Sequence, residues 1–373
     1  MNPSLHIVCL DAPAPPDYGG AIDMYYSIEA LLNAGVAVHL HYFRYREGRD
    51  AGPLAARCAS VQAYRRATGL RGVHPNRPYT VHSRTSRALV ENLNRDHLPV
   101  LLHGLHCTGI LSRLQPAGRP IFLRMHNNEA AYYQMLAGQE TTARKKIFFQ
   151  REARLLHHWQ QSLANDLPVW SLSPADTEQL TVQYGWTRIQ FLPCFIPWQN
   201  VEGKAGWGNF CLYHGNLSVP ENEKAARWLI TEIFKDAGIP LVVAGYRPSQ
   251  ALRELVAKHP LVQLVENPDP TAMDQLVAEA HLHVLPSFSN TGVKLKLLHA
   301  LFRGRHCLTF GAEAAGTGQA QGFGTAQEAG AFRDAVHQYM NRPFTEGDRA
   351  ARKYLEVLYD RKKNAALIKN WIS

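Results

Sequence analysis

The sequence predicts an α/β protein made of two doubly wound, Rossmann-like domains facing a cleft. Three observations carry this. Strand-like and helix-like segments alternate in two successive runs. A Gly-rich polar stretch from Val201 to Asn209, "VEGKAGWGN", separates the runs. The chain has 373 residues, long for one core and ordinary for two.

The first run opens with "LHIVCL", a continuous apolar segment of the kind buried on both faces of a parallel sheet. The loop "DAPAPPDYGGA" leads into "IDMYYSIEALLNAG", which reads as a helix. Ile22, Tyr25, Ile28 and Leu32 recur at helical spacing, and Gly35 is a natural stop. "VAVHLHYF" is the next strand and completes a strand–helix–strand unit. "PVLLHGLH" and "PIFLRMHNNE" are short strands ending in His-bearing polar segments. "ARKKIFFQREARLLHHWQQSL" is a long amphipathic helix. "PVWSLSPADTEQLTVQYG" runs from strand into helix, with Ser173 as the cap, Pro174 at the first position and Asp176 where a capping box wants an acid. "IQFLPCFIP" closes the first domain. In the second run, "FCLYHGN" and "PLVVAGY" are strands around the helix "ENEKAARWLITEIFKDAG". Then "LVQLVENP", "TAMDQLVAEA", "HLHVLP", "GVKLKLLHALFRGR" and "HCLTF" alternate strand and helix. The domains are placed at residues 1–200 and 201–345. Residues 346–373 are read as a closing amphipathic helix that packs back on the first domain.

Apolar residues make up 46 % of the chain, enough for sizeable cores. Net charge is +9, and residues 1–195 hold 20 Lys+Arg against 14 Asp+Glu. This modest excess suits a phosphorylated or nucleotide substrate, or an anionic lipid surface; it is too diffuse to argue for nucleic acid. The six Cys form no C-x-x-C pair and several sit in apolar runs, which fits buried thiols in a reducing compartment. The opening residues lack a basic n-region, and no apolar run approaches the roughly 20 residues that span a bilayer. A cytoplasmic protein is expected, with peripheral contact at the inner membrane left open. The basic stretches Arg65–Arg87 and Arg144–Arg154 read as solvated faces or, alternatively, as contacts to anionic headgroups or a lipid-linked diphosphate.

Chemistry is sought in loops that follow strands. In "PSFSNTGVKLKLLHALFRGRHCL", Lys294 and Lys296 come just after Gly292, where a turn tips into a helix. A helix start offers free amides and a positive dipole end, so an anion can sit there. The competing reading leaves one or both lysines in water while Leu295, Leu297 and Leu298 pack on the sheet. The loop lacks the G-x-x-x-x-G-K-[ST] pattern of a P-loop. Gly19 and Gly20 open a helix after the first strand and make a second phosphate-compatible start, though without full G-x-G-x-x-G spacing. His126, Asn127, Asn128 and Glu129 leave a strand end together and suit hydrogen bonds to hydroxyls. The pairs His103/His106 and His281/His283 lack a third ligand in register, so no metal site is expected. No two Asp stand two residues apart, so lysines and helix dipoles, rather than a metal held by paired Asp, would neutralise a diphosphate.

The segments "PPDYGGA", "RMHNNEAAYY", "SLSPADTEQL", "YHGNLSVPENEKAARWL", "LVVAG" and "PSFSNTGVKLKLLHALFRGRHCL" resemble a GT-B-fold retaining glycosyltransferase. The family is the large one (family 4-like) that includes bacterial mannosyl- and glucosyltransferases of surface polysaccharides. Gly292, Lys294, Lys296 and Ala300 match its Gly-x-(Arg/Lys)-x-Lys-x-Leu-Glu-Ala pattern. The resemblance implies transfer of a sugar, with retention, from a nucleoside diphosphate-sugar to a glycan or lipid-linked acceptor hydroxyl, with no cofactor. The first domain would serve the acceptor and the second the nucleotide-sugar. It implies that Gly19 and Gly20 lie beside the donor's distal phosphate and that His126, with Asn128 and Glu129, contacts sugar hydroxyls. Gly215 and Asn216 would meet the diphosphate, with Asn290, Thr291 and Gly292 in the Lys loop, and Lys294 and Lys296 would neutralise the diphosphate as it leaves. One departure matters: two Glu that the family often carries eight positions apart are Thr291 and His299 here, so ribose binding falls to His299. A non-catalytic sugar-nucleotide or glycan-binding scaffold, or a GT-B epimerase or phosphorylase, stays as the alternative.

Overall fold

In the computed structural model, which describes residues 3–44, 47–115, 118–163, 165, 167–288, 292–311 and 321–372, "LHIVCL" becomes β1 (Ser4–Cys9), buried from Leu5 onward. Around it stand β2 (Ala37–Arg44), β3 (Ser60–Arg65), β4 (Val100–His103), β5 (Ile121–Met125), β6 (Val169–Ser171) and β7 (Ile189–Phe191). Their order is β3-β2-β1-β4-β5-β6-β7, every pairing parallel. The order reverses between β1 and β4, the point at which doubly wound sheets collect ligands beyond their carboxyl ends.

A second sheet comprises β8 (Cys211–Asn216), β9 (Leu241–Tyr246), β10 (Val262–Glu266), β11 (Leu282–Val284), β12 (His306–Thr309) and β13 (Gly324–Thr325). It is again all parallel, in the order β10-β9-β8-β11-β12-β13. The chain divides into one unit of residues 1–197 with 359–373, and another of residues 198–358. Residues 346–358 therefore stay with the second unit.

The helix over Arg361–Ile372 belongs to the first unit. Ala365 and Ile368 are fully buried there, in one core with Leu5, Ile28 and Leu31. Trp371 stands edge-on to Trp170 and Phe122, which stack on each other at 5.1 Å. Arg361 pairs with Glu29 at 2.6 Å, and Lys369 donates to the Ala34 carbonyl.

Besides this division of residues 346–373, read as one helix and found as helices at Glu346–Ala350, Tyr354–Leu358 and Arg361–Ile372, two details differ from the sequence reading. The first helix spans Gly19–Asn33, and its buried face carries Ala21, Asp23, Met24, Ser27, Ile28 and Leu31; Ile22, Tyr25 and Leu32 are only half-buried. The apolar stripe misled because two polar residues, Asp23 and Ser27, lie on the inner face. Strand β3 was not foreseen: it is an edge strand with exposed Gln62, Ala63 and Arg65, so no apolar run marks it. Ser173, by contrast, caps the Pro174–Tyr184 helix as read, accepting from Asp176 N at 3.1 Å.

Because Ile368 is buried in the first unit's core, Ile368→Ala is expected to destabilise that unit by about 2–5 kcal/mol. Urea unfolding followed by hydrogen exchange should show protection lost in residues 4–44 and retained in residues 211–216.

Candidate functional site

The carboxyl ends of β4 and β5 and the start of the Gly19–Asn33 helix build a polar cluster in the first unit. Asp23, fully buried, sits at its centre. Arg124, on β5, grips both Asp23 oxygens at 2.7 and 2.8 Å. The Phe195 amide donates to Asp23 at 2.8 Å, and Arg124 also donates to the Leu192 and Pro193 carbonyls. Burial pushes the Asp23 carboxyl up, but the Arg124 charge and hydrogen bonds outweigh it, with help from His126, and hold the group well below the usual carboxylate range. His126 follows β5 and places Nε2 3.5 Å from Asp23 Oδ2. His103, ending β4, places Nδ1 3.4 Å from His126 Nε2, and burial lowers its pKa to about 3.

Gly20 lies over the other edge of the His126 ring. A Cβ there would be 3.5 Å from His126 Nδ1 and 3.1 Å from the Tyr18 ring. The helix begins at Gly19 with no side chain capping its amides and no acid in its first turn. The structure therefore brings Gly19, Gly20 and His126 together and adds Asp23, His103 and Arg124, which the sequence reading missed. The available signal was charge inside apolar context: Arg124 in "IFLRM" and His103 closing "VLLH".

Asn128 and Glu129 have other surroundings. Asn128 caps the Glu129–Gln139 helix, accepting from Ala131 N at 3.2 Å and from Gln160 Nε2 at 3.0 Å. Burial pushes the Glu129 carboxyl up to about 7, offset in part by the Asn127 amide.

In the second unit, Asn290 and Thr291 lie outside the described residues. Gly292 has φ +68°, a left-handed conformation that side-chain-bearing residues resist. Lys294 is the N-cap residue of the Leu295–Arg303 helix, whose start has neither a side-chain cap nor an acid. Lys296 reaches back under β8: its Nζ donates to Tyr213 Oη at 3.2 Å and Asn222 Oδ1 at 3.1 Å, and sits over the Tyr213 ring. Burial lowers its pKa to about 8, with Glu221 opposing the shift and Lys294 adding to it. Of its three N–H donors, two are thus used within the protein.

Gly215 and Asn216 end β8. The Asn216 side chain closes its own turn, accepting from Ser218 N and Ser218 Oγ, while its carbonyl accepts from Asn222 Nδ2. The Pro220–Trp228 helix that follows already carries Glu221 and Glu223 in its first turn, so its dipole end is partly satisfied. His299 is buried, stacked on Trp198 at 4.5 Å, with Nε2 2.8 Å from Asp274 Oδ1 but out of hydrogen-bond alignment. His281 is structural: it accepts from the Gly208 amide through Nδ1, which leaves Nε2–H for the Tyr339 and Arg342 carbonyls.

Each unit thus carries, beyond the carboxyl ends of parallel strands, a helix start without a side-chain cap beside cations or a histidine. No protein-family model matches the chain. A Klebsiella pneumoniae protein described as an uncharacterized 44.6 kDa protein in the cps region is 24 % identical over 342 residues, covering 85 % of each chain. Among solved structures, S. aureus TarM in complex with fondaparinux, alpha-GlcNAc-glycerol and UDP superposes with TM-score 0.68 at 10 % identity, covering 100 % of both chains. The fold is that of the GT-B glycosyltransferases. The pneumococcal O-GlcNAc transferase GtfA with UDP and GlcNAc gives TM-score 0.66 at 10 % identity, over 100 % of this chain and 99 % of that one. Sucrose-phosphate synthase from Thermosynechococcus elongatus gives 0.66 at 16 %, over 100 % of this chain and 96 % of that one.

Among the described residues, Asp23, His103 and His126 have the spacing of a cation site, their ligand atoms all within 4.8 Å. Arg124 already supplies the positive charge there, which opposes a second cation. A cavity of about 790 Å³ lies at the opposite, amino ends of β5 and β6, lined by Phe122, Trp159 and Trp371, and contains none of the expected site residues.

Two outcomes follow from these charges. Asp23→Ala strands the buried Arg124 charge and should cost about 3–5 kcal/mol. The depressed folded pKa of Asp23 means its contribution is full above the unfolded carboxyl range near 4 and is lost as pH falls below it; urea unfolding of wild type and Asp23→Asn across pH 2–7 checks the sign. For Lys296, burial means that the ammonium gives up its proton as pH rises past about 8, and ¹⁵N NMR of the lysine side chains should show that titration lost in Lys296→Arg, whose guanidinium stays charged.

Proposed function

We propose that this protein is a glycosyltransferase that moves a sugar from a nucleoside diphosphate-sugar to a hydroxyl of a glycan or glycolipid, with retention and without a metal. The observation that carries this is the Lys294–Lys296 helix start after β11, where an uncapped dipole end, a Gly at positive φ and a half-buried lysine converge. The barrier is departure of the diphosphate from the anomeric carbon. Lys294, Lys296 and the amides opening the Leu295–Arg303 helix stabilise the charge that grows on it. In the first unit, the Gly19–Gly20 amides are assigned to the donor's distal phosphate and His126 to hydroxyls of the transferred sugar. Front-face attack, with the departing phosphate taking the acceptor proton, needs no enzymic nucleophile. The fold, and the UDP and sugars named with TarM and GtfA, support this reading. The cps-region relative supports a role in surface polysaccharide synthesis.

A binding-only scaffold is the second reading. It is favoured by His299, which stands where a carboxylate is expected and is held by Trp198 and Asp274. Release of nucleoside diphosphate from a panel of donor sugars separates the two. Transfer predicts release that needs an acceptor; a scaffold predicts none; an epimerase releases nucleotide without acceptor, and a phosphorylase requires phosphate. Lys294→Ala/Lys296→Ala is expected to lower kcat by at least about 100-fold, the scale of losing a preorganised charge contact. Full activity in that variant would rule out the diphosphate role.

Peripheral contact with an anionic membrane is part of the proposal. No helix among the described residues is long and apolar enough to cross a membrane. Residues 51–90 contain no acid. In the first unit, exposed Leu70 and Ile147 stand with exposed Arg71, Arg144, Lys145 and Lys146. Their segments are joined by Arg151 donating to the His74 and Pro75 carbonyls and by Phe148 against Tyr79. Exposed apolar residues next to cations in the sequence fit an interfacial contact. Co-sedimentation should be strong with phosphatidylglycerol vesicles, weak with phosphatidylcholine, and lost in Ile147→Glu/Lys145→Glu/Lys146→Glu.

A further inference from the structure

A continuous hydrogen-bond chain runs through the first unit from the Met24 carbonyl to His126. Ser27 Oγ lies 3.0 Å from Met24 O and 3.2 Å from His103 Nε2; His103 Nδ1 lies 3.4 Å from His126 Nε2; and His126 Nε2 lies 3.5 Å from Asp23 Oδ2. Ser27 and His103 are wholly buried, so each donor must find an acceptor inside the chain.

Proton positions follow from the charged end. Asp23 is a carboxylate and can only accept. Its nearest ring nitrogen is His126 Nε2, with His103 Nδ1 farther off at 3.8 Å. His126 Nε2 therefore carries the hydrogen. Two N–H groups cannot face each other at 3.4 Å, so His103 Nδ1 is a lone pair. The His103 proton is then on Nε2 and donates to Ser27 Oγ, whose own hydrogen goes to the Met24 carbonyl. The single His126 Nε2 hydrogen then serves both Asp23 Oδ2 and His103 Nδ1, and His126 Nδ1 is the position this arrangement leaves open. The reverse arrangement turns the His126 Nε2 lone pair towards the carboxylate.

We infer that Asp23, His103 and Ser27 are positioning residues that fix His126 as the Nε2–H tautomer. The His126 Nδ1 lone pair then faces the Gly19–Gly20 turn, ready to accept from a ligand hydroxyl. That the ligand is a sugar or acceptor rests on the proposed function; the tautomer does not. The missing Cβ of Gly20 keeps the approach to Nδ1 open.

Ring-¹⁵N histidine labelling of the full chain tests this by long-range ¹H–¹⁵N correlation, with His126→Gln and His103→Gln assigning the signals. The expected result is the hydrogen on Nε2 in both His103 and His126. Ser27→Ala and Asp23→Asn should each shift His126 towards a tautomer mixture. If Asp23→Asn fails to fold beside Arg124, Ser27→Ala carries the test. His126 observed as the Nδ1–H form, or unmoved by these changes, overturns the inference. In sugar transfer, folded Asp23→Asn should lose about tenfold or more in kcat with a smaller change in KM; an unchanged kcat with mixed tautomers overturns the positioning role. Failure of wild type to transfer sugar rejects the proposed function while leaving the spectroscopic result intact.

Discussion

The Asp23–Arg124 pair is the constraint on which the first unit's site depends. It ties the Gly19–Asn33 helix to β5 and, through the Leu192 and Pro193 carbonyls and the Phe195 amide, to the segment leaving β7. Such a pair gains little net stability, because desolvating two charges consumes most of their attraction. Its effect is on position. Each hydrogen bond is directional, and three separate pieces of chain must agree before all are made. His126 inherits that precision through the shared carboxylate.

The second unit solves a different electrostatic problem. Two of its helices begin near β8 and β11, and the sequence assigns them opposite characters. The Pro220–Trp228 helix carries its own acids at its positive end, while the Leu295–Arg303 helix carries cations where acids would normally be favoured. Lysines at a positive helix end run against the dipole preference. Glu221 relieves part of this by its field on Lys296, and the neighbouring Ser287 hydroxyl donates to that same Glu221. Sites that violate local electrostatic preference are where ligand binding is expected to return the balance.

Legibility in the sequence followed physical locality. "LHIVCL" was readable because a strand covered on both faces must be apolar throughout, and the Ser173-Pro174 start because capping involves adjacent residues. Strand β3 was not readable, since an edge strand can be half polar and still pair. In the candidate site, Gly20, His126 and the lysine loop announce themselves by residue type within short motifs. Asp23, His103 and Arg124 meet only after the sheet forms, across separations of 80 to 101 residues, and no local pattern encodes that. Their trace was a misfit: acid, imidazole and guanidinium at positions whose neighbours are buried. Asn128 shows the converse, a residue in a suggestive motif whose amide is occupied in starting a helix.

The return of residues 361–372 to the first unit has a consequence for biogenesis. During synthesis the ribosome delivers residues 1–197, then all of the second unit, and only afterwards the helix that covers Ile28 and Leu31. For that interval the nascent first sheet presents an uncovered apolar flank while its neighbour is able to fold completely. The interval is where chaperone capture or aggregation would compete with docking of the tail.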